Sequence, residues 1–456
     1  MISLELPRLG AATGVLAAYA ALCIQAWRVH RRRVAPLNED NHAGVLIAYA
    51  SQSGFAQELA GEAARALQAA GLPVHPCALD QIGAAQLRDC TRALFLISTS
   101  GEGDAPDNGA GFVRQVMTTR LDLQGLRYGL LALGDRRYAN FCAFGRALDH
   151  WLQQQGAGPI FPRIEADGAA NDALITWRHQ LASFAGLAEV AEAPQAATGF
   201  WRIRACRQLN PGSAGAPACH VELEPVSEDS PAATITPLPH WAPGDLLQLI
   251  ATGDDARPRD YSIASLPEDG AVHLIVRRVT GADGTPGALS PLLTQEAAVG
   301  TRLRGRVRPH PNFRIGDNAD RPLLLIGNGT GLAGLLAHLR ARARRGDGRN
   351  WLLFGERNKA HDDLHGAEID ALEHDNLLTR CDRVWSRDPP HGEYVQDRLR
   401  RAADTVRTWV EGGAAIYVCG NAVGMGPAVH AALAEILGNS TLDALTRAGR
   451  YRRDIY

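Results

Sequence analysis

No two cysteines in this chain stand at C-x-x-C spacing, and no His/Cys run has the spacing of a ligand set. The eight cysteines, at 23, 77, 90, 142, 206, 219, 381 and 419, are scattered. A zinc site, an iron–sulfur cluster or a disulfide framework is therefore not expected, and the metal expectation is none. The folded part reads as a reduced, cytosolic protein. No haem-ligating pattern appears either, so any haem belongs to another molecule. No block of like charge is long enough to act as a nucleic-acid footprint, and 47 basic residues stand against 49 acidic ones, which argues against nucleic acid as a partner.

Long apolar runs are scarce, with one exception. From Leu9 to Trp27 every residue is apolar or small apart from Thr13 and Gln25, and a helix of that length reaches roughly 30 Å at about 1.5 Å per residue, enough to cross a bilayer. Arg28, His30, Arg31, Arg32 and Arg33 follow it directly. A cleaved signal peptide carries its basic residues before the apolar run, whereas these come after. The reading is a single-pass anchor, N-terminus out, with the remaining domains cytoplasmic. A bacterial inner membrane is the expected location.

At 456 residues the chain exceeds one ordinary core, so two or three domains are expected. Beyond a polar tether at 36–42, strands alternate with helices. Val45 to Ala50, Ala93 to Ser98 and Tyr128 to Leu133 are apolar runs, each followed by a small-residue or Gly-rich loop and a helical stretch such as Gln57 to Ala70. That alternation predicts a doubly wound parallel sheet with ligands at the carboxyl ends of its strands. The loops there are Ser51-Gln52-Ser53-Gly54, suited to a phosphate at a helix N-terminus; a second from Ser98 through Thr99, Ser100, Gly101, Glu102 and Gly103 to Asn108; and a third from Leu133 through Gly134, Asp135, Tyr138, Asn140 and Phe141 to Cys142.

These three loops, in this order, resemble the flavodoxin-like FMN domain of diflavin reductases. The resemblance implies that Tyr138 stacks on the isoalloxazine. Many relatives carry a second aromatic where Ser100 stands, which implies a less covered FMN face. An Ala-, Glu- and Pro-rich stretch from Leu187 to Thr198 then reads as a linker.

From Trp201 to about Phe313 short strands divided by Gly and Pro, including Ala218 to Leu223, Leu246 to Ile250 and Val272 to Arg277, predict a small antiparallel β-barrel. Arg259-Asp260-Tyr261-Ser262 matches the Arg-x-Tyr-Ser signature of ferredoxin-reductase-like FAD domains. By that resemblance Arg259 meets the pyrophosphate, Tyr261 packs on the flavin, and Ser262 lies near the ring nitrogen that accepts hydride. Gly287-Ala288-Leu289-Ser290 looks like the turn that holds FAD pyrophosphate at a helix start; a plain helix cap is the rival for Ser290.

A third unit opens with the strand Pro322 to Ile326, the turn Gly327-Asn328-Gly329-Thr330-Gly331 and a helix through Arg345, the strand–glycine–helix context of a nucleotide site. By resemblance Ser386 and Arg387 bind the 2′-phosphate of NADPH, and a guanidinium plus a hydroxyl suits that dianion. Tyr394 and Gln396 fit the adenosine-phosphate loop, although Gly392 stands where relatives commonly carry lysine. Cys419 falls beside the nicotinamide, with a small core hydrophobe as the plain alternative. The tail Arg450 to Tyr456 is similar to that of sulfite reductase flavoproteins: Tyr456 would stack over FAD and Asp454 would stabilise positive charge on the nicotinamide. A frayed tail is the plain alternative.

The organisation expected is an anchor and tether over 1–43, an FMN domain over 44–187, a linker over 188–198, an FAD barrel over 199–318 and an NADPH domain over 319–456. The large helical insertion of some relatives is missing: about a dozen residues separate Asp245 from Arg259, which suggests looser coupling of the flavins. The implied activity is hydride transfer from NADPH to FAD and single-electron passage through FMN to a separate acceptor, whether a haem protein, a ferric chelate or the sulfite reductase haem subunit. A membrane-tethered flavin sensor or scaffold with little turnover is the alternative. A flavodoxin fused to an unrelated domain is another, and it predicts one flavin per chain.

Overall fold

Three sheets in sequence organise the chain. The computed structural model describes residues 44–456 apart from 101–102, 137–138, 169–170, 188–197, 229–235, 251–257, 282–283 and 296–297. Residues from Val45 to Tyr456 cluster as one unit. The expected anchor at 9–27 and the linker core at 188–197 lie outside the described residues. No described helix is long and apolar enough to cross a membrane.

The first sheet contains β1 (Val45–Ala50), β2 (Val74–Ala78), β3 (Arg92–Ser98), β4 (Arg127–Gly134), β5 (Gly158–Pro159) and β6 (Ile164–Asp167), in the order β2-β1-β3-β4-β5 with β6 also on β4. All its pairings are parallel. Because side chains alternate across a strand, Val45 and Ile47 enter one core while Leu46, Ala48 and Ala50 enter the other. Both faces are therefore covered, which is why β1 reads as a continuous apolar run.

Helix α1 (Phe55–Ala69) buries Ala56, Leu59, Ala60, Ala63, Ala64 and Leu67, a stripe at three- and four-residue spacing. Full burial of each of its leucines contributes about 2 kcal/mol. It ends before Gly71, whose φ of 78° suits a residue without Cβ. The carboxyl ends of β1 and β3, where the strand order reverses, carry the first and second loops, and the third follows β4.

The second sheet is antiparallel: β7 (Gly199–Gln208), β8 (Ala218–Val226), β9 (Leu246–Ile250), β10 (Pro258–Ser262), β11 (Val272–Arg277) and β12 (Arg302–Arg308), ordered β10-β9-β12-β7-β8-β11. The expected barrel is a six-stranded sheet here, since no ladder among the described residues joins its end strands β10 and β11. The strand expected over Ala218 to Leu223 continues to Val226. A single helical turn, α2 (Ser290–Leu293), follows the Gly287 turn.

The third sheet, β13 (Leu323–Asn328), β14 (Asn350–Glu356), β15 (Arg380–Trp385), β16 (Ala415–Gly420) and β17 (Tyr451–Ile455), is parallel in the order β15-β14-β13-β16-β17. Helix α3 (Leu332–Arg344), one residue shorter than expected, packs on one face, and helix α4 (Met425–Leu437) on the other. Strand β17 is the chain's last segment. Its register sets Asp454 beside Cys419, so the tail is an integral strand rather than a frayed end.

Candidate active site

Backbone and side chains of the first and second loops are tied together. Ser51 is buried; its N–H donates to Asn108 Oδ1 at 2.9 Å and its Oγ accepts from Ala56 N at 3.2 Å. Gln52 donates through Nε2 to Asp107 Oδ2 at 3.1 Å, and the Asp107 N–H donates back to Gln52 Oε1 at 3.2 Å. The second loop rests on the third: Thr99 Oγ1 accepts from Phe144 N at 3.3 Å, and a Cβ on Gly103 would sit 3.0 Å from that of Asn140. Gly134 has no room for a Cβ, which would lie 2.7 Å from Cys142 N. Arg136 caps the Phe141 ring at 4.7 Å. Gly101, Glu102 and Tyr138 lie outside the described residues; Ser100 N–H donates to Asp104 O at 2.9 Å.

The phosphate-type loop also meets the second sheet. Arg308 Nη1 donates to Ser53 O at 2.8 Å, His310 Nε2 lies 3.2 Å from Gln52 O, and Asn312 Nδ2 donates to Ser51 O at 3.1 Å. Three successive carbonyls thus face the second sheet. Since a trans peptide points its C=O and the next N–H oppositely, the N–H groups of Gln52, Ser53 and Gly54 face away from it. Buried Asp245 holds the donor loop in place, accepting from His310 N at 2.9 Å and from Arg314 Nε at 2.7 Å. Two further pairs span the domains, Arg306 with Glu58 at 2.8 Å, and Arg453 Nε with Asp107 Oδ2 at 2.8 Å. With only a short β9–β10 connection, direct contacts of this kind seat the flavodoxin domain.

Between the second and third sheets lies a cleft of about 1090 Å³. Its lining unites Arg259, Tyr261 and Ser262 of β10 with Gly287, Ala288, Leu289 and Ser290, with Gly329 and Thr330 of the glycine turn, with Ser386, Arg387, Tyr394 and Gln396, and with Tyr456. Asp135 of the third flavodoxin-domain loop reaches its edge. Ser290 is the first residue of α2, not its cap, which is Leu289. Its Oγ instead accepts from Val279 N at 2.9 Å and so fixes the turn.

At one end of the cleft Ser262 Oγ donates to Asp454 Oδ2 at 2.8 Å, and the Cys419 thiol approaches the same oxygen at 3.7 Å. Cys419 and Asp454 are buried behind the cleft wall that Ser262 and Tyr456 form. Burial and the Asp454 carboxylate push the Cys419 thiol well above its ordinary range. It remains a neutral thiol, unsuited to nucleophilic work. The Tyr456 hydroxyl donates to Thr330 Oγ1 at 3.3 Å, and its backbone N–H to Gly420 O at 3.0 Å.

Residues 47–179 match the flavodoxin family and residues 325–431 the oxidoreductase NAD-binding domain family. The chain is also similar to sulfite reductase [NADPH] flavoprotein alpha-components over 90% of its length. That of Neisseria meningitidis serogroup C (strain 053442) is 26% identical over 90% of this chain and 89% of its own length. That of Bacillus subtilis (strain 168) is 25% identical over 90% and 89%, and that of Vibrio cholerae (strain ATCC 39315) 26% over 90% and 87%. The chain is a diflavin reductase. It is a flavoprotein reductase with FMN, FAD and NADPH as its cofactors.

The residues present in this diflavin reductase fit those groups. The cleft exceeds the roughly 300–1,000 Å³ of a drug-sized site, as two dinucleotides require. Arg259, Arg278, Arg357 and Arg387 line it, charge matched to pyrophosphate and phosphate.

Reasoning from sequence missed Arg277 and Glu356, which pair across the cleft wall. Burial pushes the Glu356 carboxyl above its usual range, against the pull of Arg277. Their separation of 79 residues hides this pair from any local pattern.

Two glycines answer to packing. Gly331 is buried, and a Cβ there would lie 2.3 Å from Cys419 O, so close approach to β16 requires a glycine at this position. Gly392 has a similar cause: a Cβ would stand 2.1 Å from Ser386 O, so the lysine of relatives has no place on this backbone.

Proposed function

We propose that this diflavin reductase passes hydride from NADPH to FAD and single electrons through FMN to a separate acceptor near a membrane. The observation that carries the reading is one continuous cleft lined by Arg259, Tyr261 and Ser262 on one wall and by Ser386 and Arg387 on the other, with Asp135 at its edge. The flavins supply the two-electron to one-electron conversion when bound.

This chain's residues bind, orient and polarise. Arg259 would meet FAD pyrophosphate and Tyr261 would cover the flavin. The fork of Arg387 and the hydroxyl of Ser386 would take the 2′-phosphate, Tyr394 and Gln396 the adenosine end. Asp454, its position fixed by the Ser262 hydroxyl, would face the nicotinamide as positive charge develops there. Tyr456 would have to leave the cleft wall before the nicotinamide could stack. In the flavodoxin domain the outward N–H groups of Gln52, Ser53 and Gly54 would receive the FMN phosphate, and Tyr138 would stack on its ring.

For the acceptor, the apolar run at 9–27 with its following arginines favours a membrane-bound haem protein or a ferric chelate at a bacterial inner membrane. The relatives' names favour the haem subunit of sulfite reductase instead.

Flavin extraction and stopped-flow reduction test the reading. Detergent-solubilised protein should yield equal FMN and FAD and reduce faster with NADPH than with NADH. Arg259→Ala should lose most of its FAD, keep FMN, and lose NADPH-driven dye reduction. Wild-type protein with a single flavin, or FAD retained in the variant, would sink the assignment. The full chain should sediment with membranes, and its recovery in the soluble fraction would remove the anchor.

A further inference from the structure

Away from the flavin cleft, two strands of the second sheet bring together a group of side chains that the reductase chemistry leaves unused. In the antiparallel pair β8–β11, Glu222 stands opposite His273 and His220 opposite Ile275. His220 and Glu222 are two apart on β8 and so share a face, and His273 joins them across the ladder. One ligand atom from each of the three lies within 4.8 Å of the others. His220 Nε2 is 3.7 Å from Glu222 Oε1.

The other nitrogen of His220 is already engaged. Its Nδ1 is 3.3 Å from His365 Nε2, and His365 Nδ1 is 3.0 Å from Glu368 Oε2. The result is a carboxylate–imidazole–imidazole relay that fixes the His220 ring and turns Nε2 toward Glu222 and His273. Ligating histidines characteristically have their second nitrogen held in this way. His273 Nδ1, by contrast, is buried with no hydrogen-bond partner among the described residues. Such an orphan is costly unless something satisfies it.

Charge and access also favour a cation. Arg340 lies beside the cluster, but Glu368 neutralises it through two bonds of 2.6 and 2.8 Å. Glu222 is held only loosely by Arg204, at 3.7 Å. His273 also lines a hollow of about 510 Å³ with Arg340, Ala343 and Leu372, which offers an ion a route from solvent.

We propose that His220, Glu222 and His273 form a binding site for a divalent cation of the zinc class, with a fourth position open to water and His365 as the positioning residue. Two imidazoles and a carboxylate are the ligand chemistry of Zn²⁺ and its neighbours. Bonds of about 2.0–2.2 Å place tetrahedral ligand atoms roughly 3.3 Å apart; side-chain rotations bring in the widest pair. The ligands belong to the FAD sheet, whereas His365 caps the helix Gly366–His374 of the nucleotide domain. An ion here staples those two domains on the same sheet face as Ile275, which lines the cleft.

Full-length holoprotein prepared without a polyhistidine tag, stripped with chelator and desalted, is titrated with Co²⁺ and then with Zn²⁺. The expected result is one Co²⁺ per chain with the visible bands of tetrahedral coordination, displaced by Zn²⁺. His273→Ala and Glu222→Gln should each abolish that spectrum with FMN and FAD content unchanged. His365→Ala should weaken binding about 10–100-fold and keep the stoichiometry. Uptake below one equivalent in the wild type overturns the site, as does a spectrum unaltered in both ligand variants. Should His273→Ala fail to fold, Glu222→Gln, at a partly exposed position, decides alone.

Discussion

Asp454→Ala should slow NADPH-dependent reduction of FAD by about 100-fold, the scale on which removing one preorganised electrostatic partner acts on a transition state, while leaving FAD content and NADPH affinity nearly unchanged. The reason lies in the convergence on one carboxylate. Ser262 Oγ at 2.8 Å and the Cys419 thiol at 3.7 Å both point at Oδ2, and β17 sets Asp454 in register with Cys419. A carboxylate so held cannot rotate away when charge appears on the nicotinamide. Its loss removes stabilisation made in the transition state and little that is made with bound NADPH, so kcat should fall and KM should not rise. Single-turnover stopped flow at saturating NADPH measures this directly. An unchanged rate would show that Asp454 only supports the fold.

Arg308→Ala should produce the complementary defect: FAD still reduced at the wild-type rate, but onward transfer to FMN slowed roughly thirtyfold, the equivalent of about 2 kcal/mol for a lost charge-assisted hydrogen bond. Arg308 is 1% exposed. It is held by Asp260 Oδ2 at 2.7 Å within the FAD sheet, and it reaches Ser53 O at 2.8 Å in the flavodoxin domain. Removing it opens the seat of one domain on the other. Stopped-flow traces that separate the two phases, with flavin content as the control, give the answer. Equal slowing of both phases would place the effect at FAD instead.

Much of this was legible in the sequence because the relevant signals are local. Apolar runs followed by glycine loops specified parallel sheets, and Arg259, Tyr261 and Ser262, read together as one motif, line the cleft together. Contacts between distant segments left no such trace. Arg453 and Asp107 are 346 residues apart, and neither is unusual where it stands. His220 and Glu222 look like one alternating strand until β11 pairs with β8 and adds His273. Gly331 has a packing reason that no local pattern shows. A glycine after a strand reads as room for a phosphate, yet the atom it makes room for is the Cys419 carbonyl, visible only once β13 and β16 are neighbours. For Ser290 it is the rival cap reading that fails: Leu289 is the cap, and the Ser290 hydroxyl accepts from the Val279 N–H.

On the proposed reading, the loop Ser51-Gln52-Ser53 would serve two clients with the two edges of the same peptide planes. Its carbonyls seat the flavodoxin domain on Arg308, His310 and Asn312, and its amides face the other way. The domain is therefore less interchangeable than its independent core suggests. A flavodoxin from another source, grafted in its place, could hold its own FMN perfectly well and still stand off the reductase. Conversely, drift in this loop that improved docking would be tested at once against cofactor retention, so the two properties evolve as one.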